Sequence, residues 1–276
     1  MFSMYKITAN NPNTKIISQQ TYKFSLIYSV FQKINITFAY RFCTNVRIFI
    51  NLKHYKQQMR EKIDCFLPCN DVAEIADSLQ TLSQSKTTQH INLLVSDASD
   101  ICACSDTDSI SNCTVITIDG LTSTKTLLTI EEHTDAEYVL LSLKHTPVSL
   151  GLHALERLLR VATDSNAGMV YADCYIQKDG VVEKHPTIDY QKGSIRDDFD
   201  FGQLVLIRAS LLHEYAAKQQ LTDYKWAGFY DLRLYISRKA QIFHLNEYLY
   251  TQVETDSRKS GERQFDYVNP RNREVQ

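Results

Sequence analysis

"AEYVLLSLKHTP", Ala136–Pro147, is the stretch that decides how the chain folds. Its residues Tyr138–Leu141 form a continuous apolar run, which is typical of a strand in a sheet covered on both faces. The run ends in Ser142, Leu143 and Lys144. The stretch therefore predicts a strand from the middle of a sheet that ends on a lysine.

Alternating strands and helices precede this stretch. "KIDCFLP" is a short strand ending at Pro68, "INLLVSD" is a second strand ending at Asp97, and "TVITID" is a third. Between the first two, Asp71 as N-cap with Glu74 three residues later predicts the start of a helix. That helix is expected to bury Val72, Ile75, Leu79 and Leu82. The pattern predicts an α/β fold with a mostly parallel sheet, whose ligands bind beyond the carboxyl ends of the strands.

More elements follow the opening stretch. Pro147 and Ser149 are expected to open a helix, "LGLHALERLLRVATDS", with an outer Glu156–Arg160 pair and with Leu152, Leu155, Leu159 and Ala162 facing inward. "GMVYADCYI", "VVEKHP" and "QLVLI" predict strands, "RASLLHEYAAKQQL" and "WAGFYDLRLYISRK" predict helices, and "AQIFHLNEYLYTQV" predicts one or two strands. "GSIRDDFDFG" is polar and irregular. No segment has the composition of a transmembrane span.

Composition excludes several classes of protein. The 276 residues are 43% hydrophobic, enough for a substantial core, and the net charge of −2 shows no basic excess, so no nucleic-acid partner is expected. Seven cysteines lack paired CxxC spacing, which argues against a disulfide framework or a zinc site. The cysteines are expected to be reduced thiols in a cytoplasmic protein.

The charge distribution changes abruptly at Met59. Residues 1–58 contain eight Lys and Arg but no Asp or Glu, which leaves 22 basic and 32 acidic residues in the rest of the chain, a charge of −10. Our hypothesis is that Met59 is the native start and that residues 1–58 are an extension added by a gene-calling error. The alternative is a basic arm for a membrane surface or for targeting.

The ordered segments resemble the family 2 glycosyltransferases with a GT-A fold, over Ile63–Val253. The resemblance lies in "FLPCND" after the first strand, in "LLVSDAS" with an acid at Asp97, in "GMVYAD" at Gly168–Asp173, and in "YDL" at Tyr230–Leu232. It implies a GT-A-like (Rossmann-like) α/β domain over residues 59–254, followed by a polar tail, 255–276, that is an incomplete C-terminus in one interpretation.

Two departures from the family pattern concern its chemistry. The family's Asp-x-Asp falls on Ser142, Leu143 and Lys144, so both metal-binding carboxylates are missing and an ammonium would repel a cation. The usual dependence on Mg²⁺ or Mn²⁺ is therefore in doubt. In the family's "E-D-Y-D-L" pattern, Gly228 and Phe229 replace the Glu-Asp that includes the usual general base.

The resemblance assigns candidate roles to residues of this chain. A lysine can stabilise the departing diphosphate as a metal ion does, and a carboxylate can deprotonate the acceptor hydroxyl. The candidate bases are Asp231, Asp200 and Asp198; the candidate nucleotide-binding residues are Pro68, Asn70, Asp97, Lys144, Arg258 and Lys259; the candidate acceptor-binding residues are Asp173, Trp226 and Phe229; no metal ligand is assigned. His185 and His244 have no Ser or Cys context that would propose a nucleophile, and His244 is expected to pack between strands.

Three functions remain open on the sequence. The first is glycosyl transfer from a nucleoside-diphosphate sugar to a glycan or lipid-linked acceptor in polysaccharide or other glycan assembly, either in the cytoplasm or at the inner face of the membrane. The second is a catalytically degenerate member that binds a nucleotide sugar or a protein partner. The third, nucleotidyl transfer, usually needs a glycine-rich phosphate loop, and "PCNDVAE" has no glycine.

Overall fold

The computed structural model describes residues 62–96, 112–196, 198–218 and 220–253. All of them fall in the second of the two units into which the chain divides, Arg60–Gln276. The strands are β1 (Ile63–Pro68), β2 (Thr88–Val95), β3 (Cys113–Thr117), β4 (Tyr138–Ser142), β5 (Val148–Leu150), β6 (Met169–Lys178), β7 (Val181–His185), β8 (Leu204–Arg208) and β9 (Ile242–Val253). The helices are α1 (Val72–Gln84), α2 (Thr124–Glu132), α3 (Ala154–Ser165), α4 (Ala209–Ala216) and α5 (Gly228–Lys239).

One sheet contains all the described strands, in the order β3-β2-β1-β4-β8-β6-β9-β5, with β7 paired to β6. Strands β1 to β4 run parallel, β8 is antiparallel to both of its neighbours, and β9 is again parallel to β6. The predicted α/β fold with a mostly parallel sheet and flanking helices is confirmed.

Helices cover both faces of the sheet and form two apolar cores. One core packs α1 and α3 on the sheet, through side chains such as Leu79 and Leu159. The other packs α2, α4 and α5 on the opposite face, through side chains such as Leu127 and Leu232. The central strand of the opening stretch, β4, is buried along its whole length, because it has a core on each side.

Helix α1 begins and packs as its sequence predicts. The Asp71 side chain accepts a hydrogen bond from the Ala73 amide, at 2.9 Å, which satisfies one of the free amides of the first turn. Ile75, Leu79 and Leu82 are buried, and Val72 lies partly buried against the same core. Pro68 ends β1 and Asn70 lies between that strand and the N-cap, so both are at the carboxyl end of β1.

The helix expected to open at Pro147 and Ser149 was wrongly bounded. Val148–Leu150 instead forms β5, which pairs with β9, and α3 begins only at Ala154, after His153 in a left-handed conformation. Leu152 therefore precedes the helix and is 90% exposed instead of facing inward. A local periodicity cannot reveal a strand whose partner lies about a hundred residues away.

The expected Glu156–Arg160 pair is also wrong. Arg160 donates to Asp164 at 2.8 Å, whereas Glu156 accepts from Ser85 Oγ at 3.0 Å. Arg160 thus pairs with a carboxylate one helical turn further along, whereas Glu156 accepts from a neutral hydroxyl and lies 4.0 Å from His153 Nδ1.

Among the helices of the described ranges, none combines the length and the hydropathy that a membrane-spanning helix needs.

Candidate active site

The candidate site lies at the edge of the sheet where the parallel strands β1 to β4 end. Because Ser142 at the end of β4 pairs with Leu204 at the start of β8, the segment before β8 meets the loop after β4 at this edge. The Leu143 amide donates to the Gln203 carbonyl at 2.8 Å, which extends the pairing beyond the strand ends. The fold thereby brings together Lys144 and Asp200, which are 56 positions apart in the sequence.

Gln203 fixes the loop that carries Lys144. Its side chain is fully buried; the amide nitrogen donates to the Thr146 carbonyl at 2.6 Å and to Ser142 Oγ at 3.3 Å, and the amide oxygen accepts from Thr146 Oγ1 at 3.2 Å. The Gln203 backbone amide donates to the Tyr250 hydroxyl at 2.8 Å. A buried amide satisfied on all sides holds its neighbours in one arrangement, so the position of Lys144 is set by strands β4, β8 and β9 together.

The Asp200 carboxylate is in contact with His185 and is influenced electrostatically by Lys144. His185 Nε2 lies 2.8 Å from Asp200 Oδ2, and the Gly202 amide donates to Asp200 Oδ1 at 2.8 Å. Burial raises the pKa of Asp200, but the hydrogen bonds from His185 and Gly202 and the charges of His185 and Lys144 outweigh it, so the pKa is lowered overall. Asp200 is therefore held as a carboxylate beside a cation.

The Lys144 ammonium itself is open to a ligand. The residue is exposed, and within the described ranges its side chain has no hydrogen bond and no ion pair within 4.0 Å. Its charge nevertheless acts on two neighbours: it helps the hydrogen bonds of Asp200 to lower the pKa of that carboxyl, and it partly offsets the burial that raises the pKa of Cys174. A cation at the end of β4 is thus oriented toward the site without being neutralised there.

Asp173, a predicted acceptor-binding residue, lies on β6 at the same edge, and one of its two carboxylate oxygens is already engaged. Its Oδ1 accepts from the Thr187 amide at 2.8 Å and from the Thr187 hydroxyl at 3.0 Å, and it lies 2.9 Å from His244 Nε2. His244 Nδ1 lies 2.5 Å from Asp189 Oδ1, and the ring stacks on Tyr171 with centroids 4.7 Å apart. His244 packs between strands as expected, and Asp173 anchors the segment after β7.

Three further candidates, Asp231, Phe229 and Trp226, lie in the first turn of α5 or just before it. Asp231, in the first turn of α5, accepts from the Tyr215 hydroxyl at 2.9 Å and lies 3.7 Å from the Lys218 ammonium, so its carboxylate is engaged with α4 and the turn after it. Phe229 is buried in the core. Trp226 is 39% exposed just before the helix. The described contacts do not bring these three residues together with Lys144.

The segment "DFDFG" alternates between core and solvent. Phe199 and Phe201 point inward, with ring centroids 4.5 Å apart, and the Arg233 guanidinium lies 5.3 Å from the Phe201 ring. Asp198 and Asp200 consequently point outward, Asp198 being paired with Arg196 at 3.2 Å. The alternation explains why two aromatic residues interrupt an acidic run.

Some of the predicted nucleotide-binding residues can be placed and others cannot. Pro68 ends β1 opposite Leu94, and Asn70 is exposed immediately after it, at the same edge as Lys144. Asp97, Arg258 and Lys259 lie outside the described residues. In the part of the chain that is described, no group of three or more His, Cys, Asp or Glu side chains is arranged to hold a metal ion.

Two residues of the site were not singled out by the sequence, and a third was considered and set aside. Gln203 and Tyr250 carry no chemical signature, and their role depends on pairing between distant strands. His185 was considered as a catalytic base and set aside, because no Ser or Cys context proposed a nucleophile for it. Its place beside Asp200 follows from the β6–β7 hairpin, which no local pattern around "EKHP" specifies.

The described fold resembles solved structures of TarS from S. aureus. The chain matches TarS 1–349 with 14% sequence identity and a TM-score of 0.51, over 70% of this chain and 60% of that one. It matches TarS 1–349 in complex with UDP with 12% identity and a TM-score of 0.53, over 70% and 61%, and in complex with UDP-GlcNAc with 12% identity and a TM-score of 0.50, over 71% and 59%. The chain thus spans about three fifths of these TarS chains.

The likeness at this identity concerns the fold, which is a GT-A-like α/β fold shared with TarS. No protein-family description matches the chain, and no curated protein matches it. The assignment to family 2 and the roles of the individual residues therefore stay predictions.

Proposed function

We propose that this protein is a glycosyltransferase that moves a sugar from a nucleoside-diphosphate sugar to a glycan or lipid-linked acceptor. The proposal is supported by the shared fold with TarS, whose structures include complexes with UDP and UDP-GlcNAc. It is also supported by the location of the candidate residues beyond the carboxyl ends of parallel strands, where α/β sheets bind ligands. Participation in polysaccharide assembly at the cytoplasmic side of a membrane is part of the same proposal.

The observation that carries the proposal is the open ammonium of Lys144. Transfer leaves negative charge on the departing diphosphate, and a fixed cation in a partly dehydrated site stabilises that charge. Lys144 stands where the family pattern has metal-binding carboxylates, and its loop is fixed through the buried Gln203. We propose that Lys144 binds the diphosphate and that no divalent cation is required.

A binding protein without turnover is the second candidate, and the packing around Gly228 favours it. A Cβ at this position would overlap the Thr124 amide and lie 2.7 Å from the Ser123 carbonyl carbon. The Glu of the family pattern is thus not only absent but sterically excluded here. With Phe229 buried beside it, the usual base has no equivalent at the start of α5.

Calorimetry with UDP, GDP, UDP-GlcNAc, UDP-glucose and GDP-mannose, first with Mn²⁺ and then with EDTA, tests the binding site. We expect one of these nucleotides to bind in EDTA, and we expect Lys144→Ala to weaken it about 10-fold or more, since a hydrogen bond to a charged group contributes about 1.5–3 kcal/mol. Lys86→Ala is the matched control, because Lys86 is exposed beyond α1 at the opposite edge of the sheet. Binding that requires Mn²⁺, or that is equal in both variants, contradicts the role of Lys144.

A further inference from the structure

The His185–Asp200 pair has a geometry that the proposed function does not yet use. His185 ends β7, its Nε2 faces Asp200 Oδ2 at 2.8 Å, and its side chain is 35% exposed. Within the described ranges, Nδ1 makes no hydrogen bond. One ring nitrogen is thus held by a carboxylate, while the other is free to meet a ligand from solvent.

Asp200 is poorly suited to accept a proton itself. Both of its oxygens already accept hydrogen bonds, Oδ1 from the Gly202 amide and Oδ2 from His185. A carboxylate whose pKa lies below the ordinary value is a weaker base than a free one. The pair therefore resembles a base with its orienting carboxylate, in which the imidazole is the reactive member.

We propose that His185 Nδ1 is the proton acceptor of the transfer reaction, and that Asp200 is the positioning residue that holds its ring. This proposal rests on the proposed function. In the step, the acceptor O–H bond breaks and its proton goes to Nδ1 while the acceptor oxygen bonds to the anomeric carbon. The bond from that carbon to the diphosphate breaks, and its electron pair leaves with the diphosphate beside Lys144.

The charges around the ring suit this role. The resulting imidazolium is stabilised by Asp200, whose carboxylate also lies within the field of Lys144. Cys174, the residue opposite His185 on β6, stays a neutral thiol, because burial and the carboxylates of Asp200 and Asp173 raise its pKa to about 11. Because Cys174 stays neutral, His185 is the group whose charge changes when the proton is transferred.

The other carboxylates that were candidates for catalysis or acceptor binding have contacts of their own. Asp231 Oδ2 is engaged by Tyr215 and Lys218, and Asp173 Oδ1 is engaged by Thr187 and His244. Asp198 is paired with Arg196 on the surface. His185 differs from these carboxylates, because its contact with Asp200 links it to the carboxylate on which Lys144 also acts, and its Nδ1 makes no hydrogen bond within the described ranges.

The ring state can be measured without any substrate. In the full-length protein labelled with ¹⁵N-histidine, correlation spectra of the ring nitrogens identify the His185 resonances by their loss in His185→Gln. We expect neutral His185 to be the tautomer with the proton on Nε2, and we expect the tautomer ratio to change in Asp200→Asn. A proton fixed on Nδ1, or a ratio unaffected by Asp200→Asn, overturns the proposal.

Measurements of turnover distinguish a failure of this proposal from a failure of the proposed function. We would follow release of the nucleoside diphosphate from UDP-GlcNAc, UDP-glucose and GDP-mannose in EDTA, with water as acceptor. We expect His185→Gln to lower kcat about 100-fold, with KM and UDP affinity within about 2-fold, since general-base help typically provides about 10²–10⁴-fold. Added imidazole should restore part of the activity of His185→Ala.

The matched control is His90→Gln, since His90 Nδ1 lies 3.2 Å from the buried Asp64 carboxylate at the opposite edge of the sheet. Normal kcat in His185→Gln, or a rise in KM alone, overturns the role of His185 but leaves the transferase. Nucleotide binding without turnover in the wild-type protein overturns His185 as a base and supports the binding protein. Absence of nucleotide binding overturns the proposed function and this inference with it, whatever the ring state.

Discussion

Asp173 makes the stability of the fold depend on pH. Burial raises its pKa, but the Thr187 amide, His244 and the Thr187 hydroxyl outweigh this effect, so the folded-state pKa lies below the ordinary value of 3.8. The stabilisation is therefore fully present above the ordinary value and is lost as the pH falls through the lower folded-state pKa. We expect Asp173→Asn to lower the free energy of unfolding by about 2 kcal/mol at pH 7, and the difference from wild type to shrink below pH 3.8.

Urea unfolding followed by circular dichroism at several pH values measures this dependence. Asp179→Asn is the control, because Asp179 is an exposed residue of the β6–β7 turn. No difference at any pH would mean that the amide replaces the carboxylate fully in its hydrogen bonds to Thr187 and His244, and a constant loss at every pH would mean that the charge of Asp173 does not contribute.

At the scale of single residues, the sequence suggested candidate residues but not their contacts. Lys144 could be identified because a cation stands where an ordered pattern expects carboxylates. Asp200 could be proposed from an acidic run. Their contacts with Gln203 and His185 could not be predicted, because the strand pairings β4–β8 and β6–β7 bring these residues into place.

At the scale of elements, the contact between the starts of α2 and α5 depends on Gly228. The Phe229 amide donates to the Thr122 carbonyl at 3.0 Å, and a Cβ on Gly228 would overlap the backbone of Ser123 and Thr124. We expect Gly228→Ala to destabilise the fold by about 2 kcal/mol, and Gly228→Glu by more, because the two helix ends must separate.

Gly120→Ala is the matched control, since nothing lies within 4 Å of a Cβ at that position. Urea midpoints of the three variants measure the effect. If Gly228→Glu is as stable as Gly120→Ala, the start of α5 can move, and the Glu of the family pattern was lost for another reason.

Two elements show why local patterns succeed or fail. Helix α1 combines an N-cap with an apolar stripe, and both signals agree. Helix α2 was not predicted at all, because threonines occupy buried positions such as Thr124 and Thr126, although Ser123 caps it by accepting from the Thr126 amide. The spacing of Leu127 and Ile130 was a signal for it, but two apolar residues do not define a face.

At the scale of the molecule, the class of fold could be predicted because the buried strands are continuous apolar runs. The strand order could not be derived from the runs themselves. Strand β8 is antiparallel between β4 and β6, and β5 joins the far edge through β9. The antiparallel pairing of β8 with β4 brings Asp200, just before β8, near Lys144, just after β4. The candidate site therefore depends on a strand pairing that the apolar runs do not predict.

The abrupt change of charge at Met59 leads to a prediction for the whole chain. Among the residues that the structure describes, both apolar cores are built from side chains between Ile63 and Tyr250. A protein beginning at Met59 should therefore have the urea midpoint and the UDP affinity of the full chain, with the free energy of unfolding unchanged to within about 0.5 kcal/mol. A larger loss of stability would show that residues 1–58 support the fold.

Sedimentation with vesicles decides between the two origins proposed for residues 1–58. Eight basic residues without an acid would attract an anionic surface in the full chain, whereas the rest of the chain, with a charge of −10, would be repelled. If those residues are only an extension, the activity and localisation of the natural protein do not depend on them, and intact mass should begin at Met59. If the natural protein includes Met1 and binds phosphatidylglycerol vesicles only with residues 1–58 present, the basic arm is a membrane-surface element and the extension hypothesis is wrong.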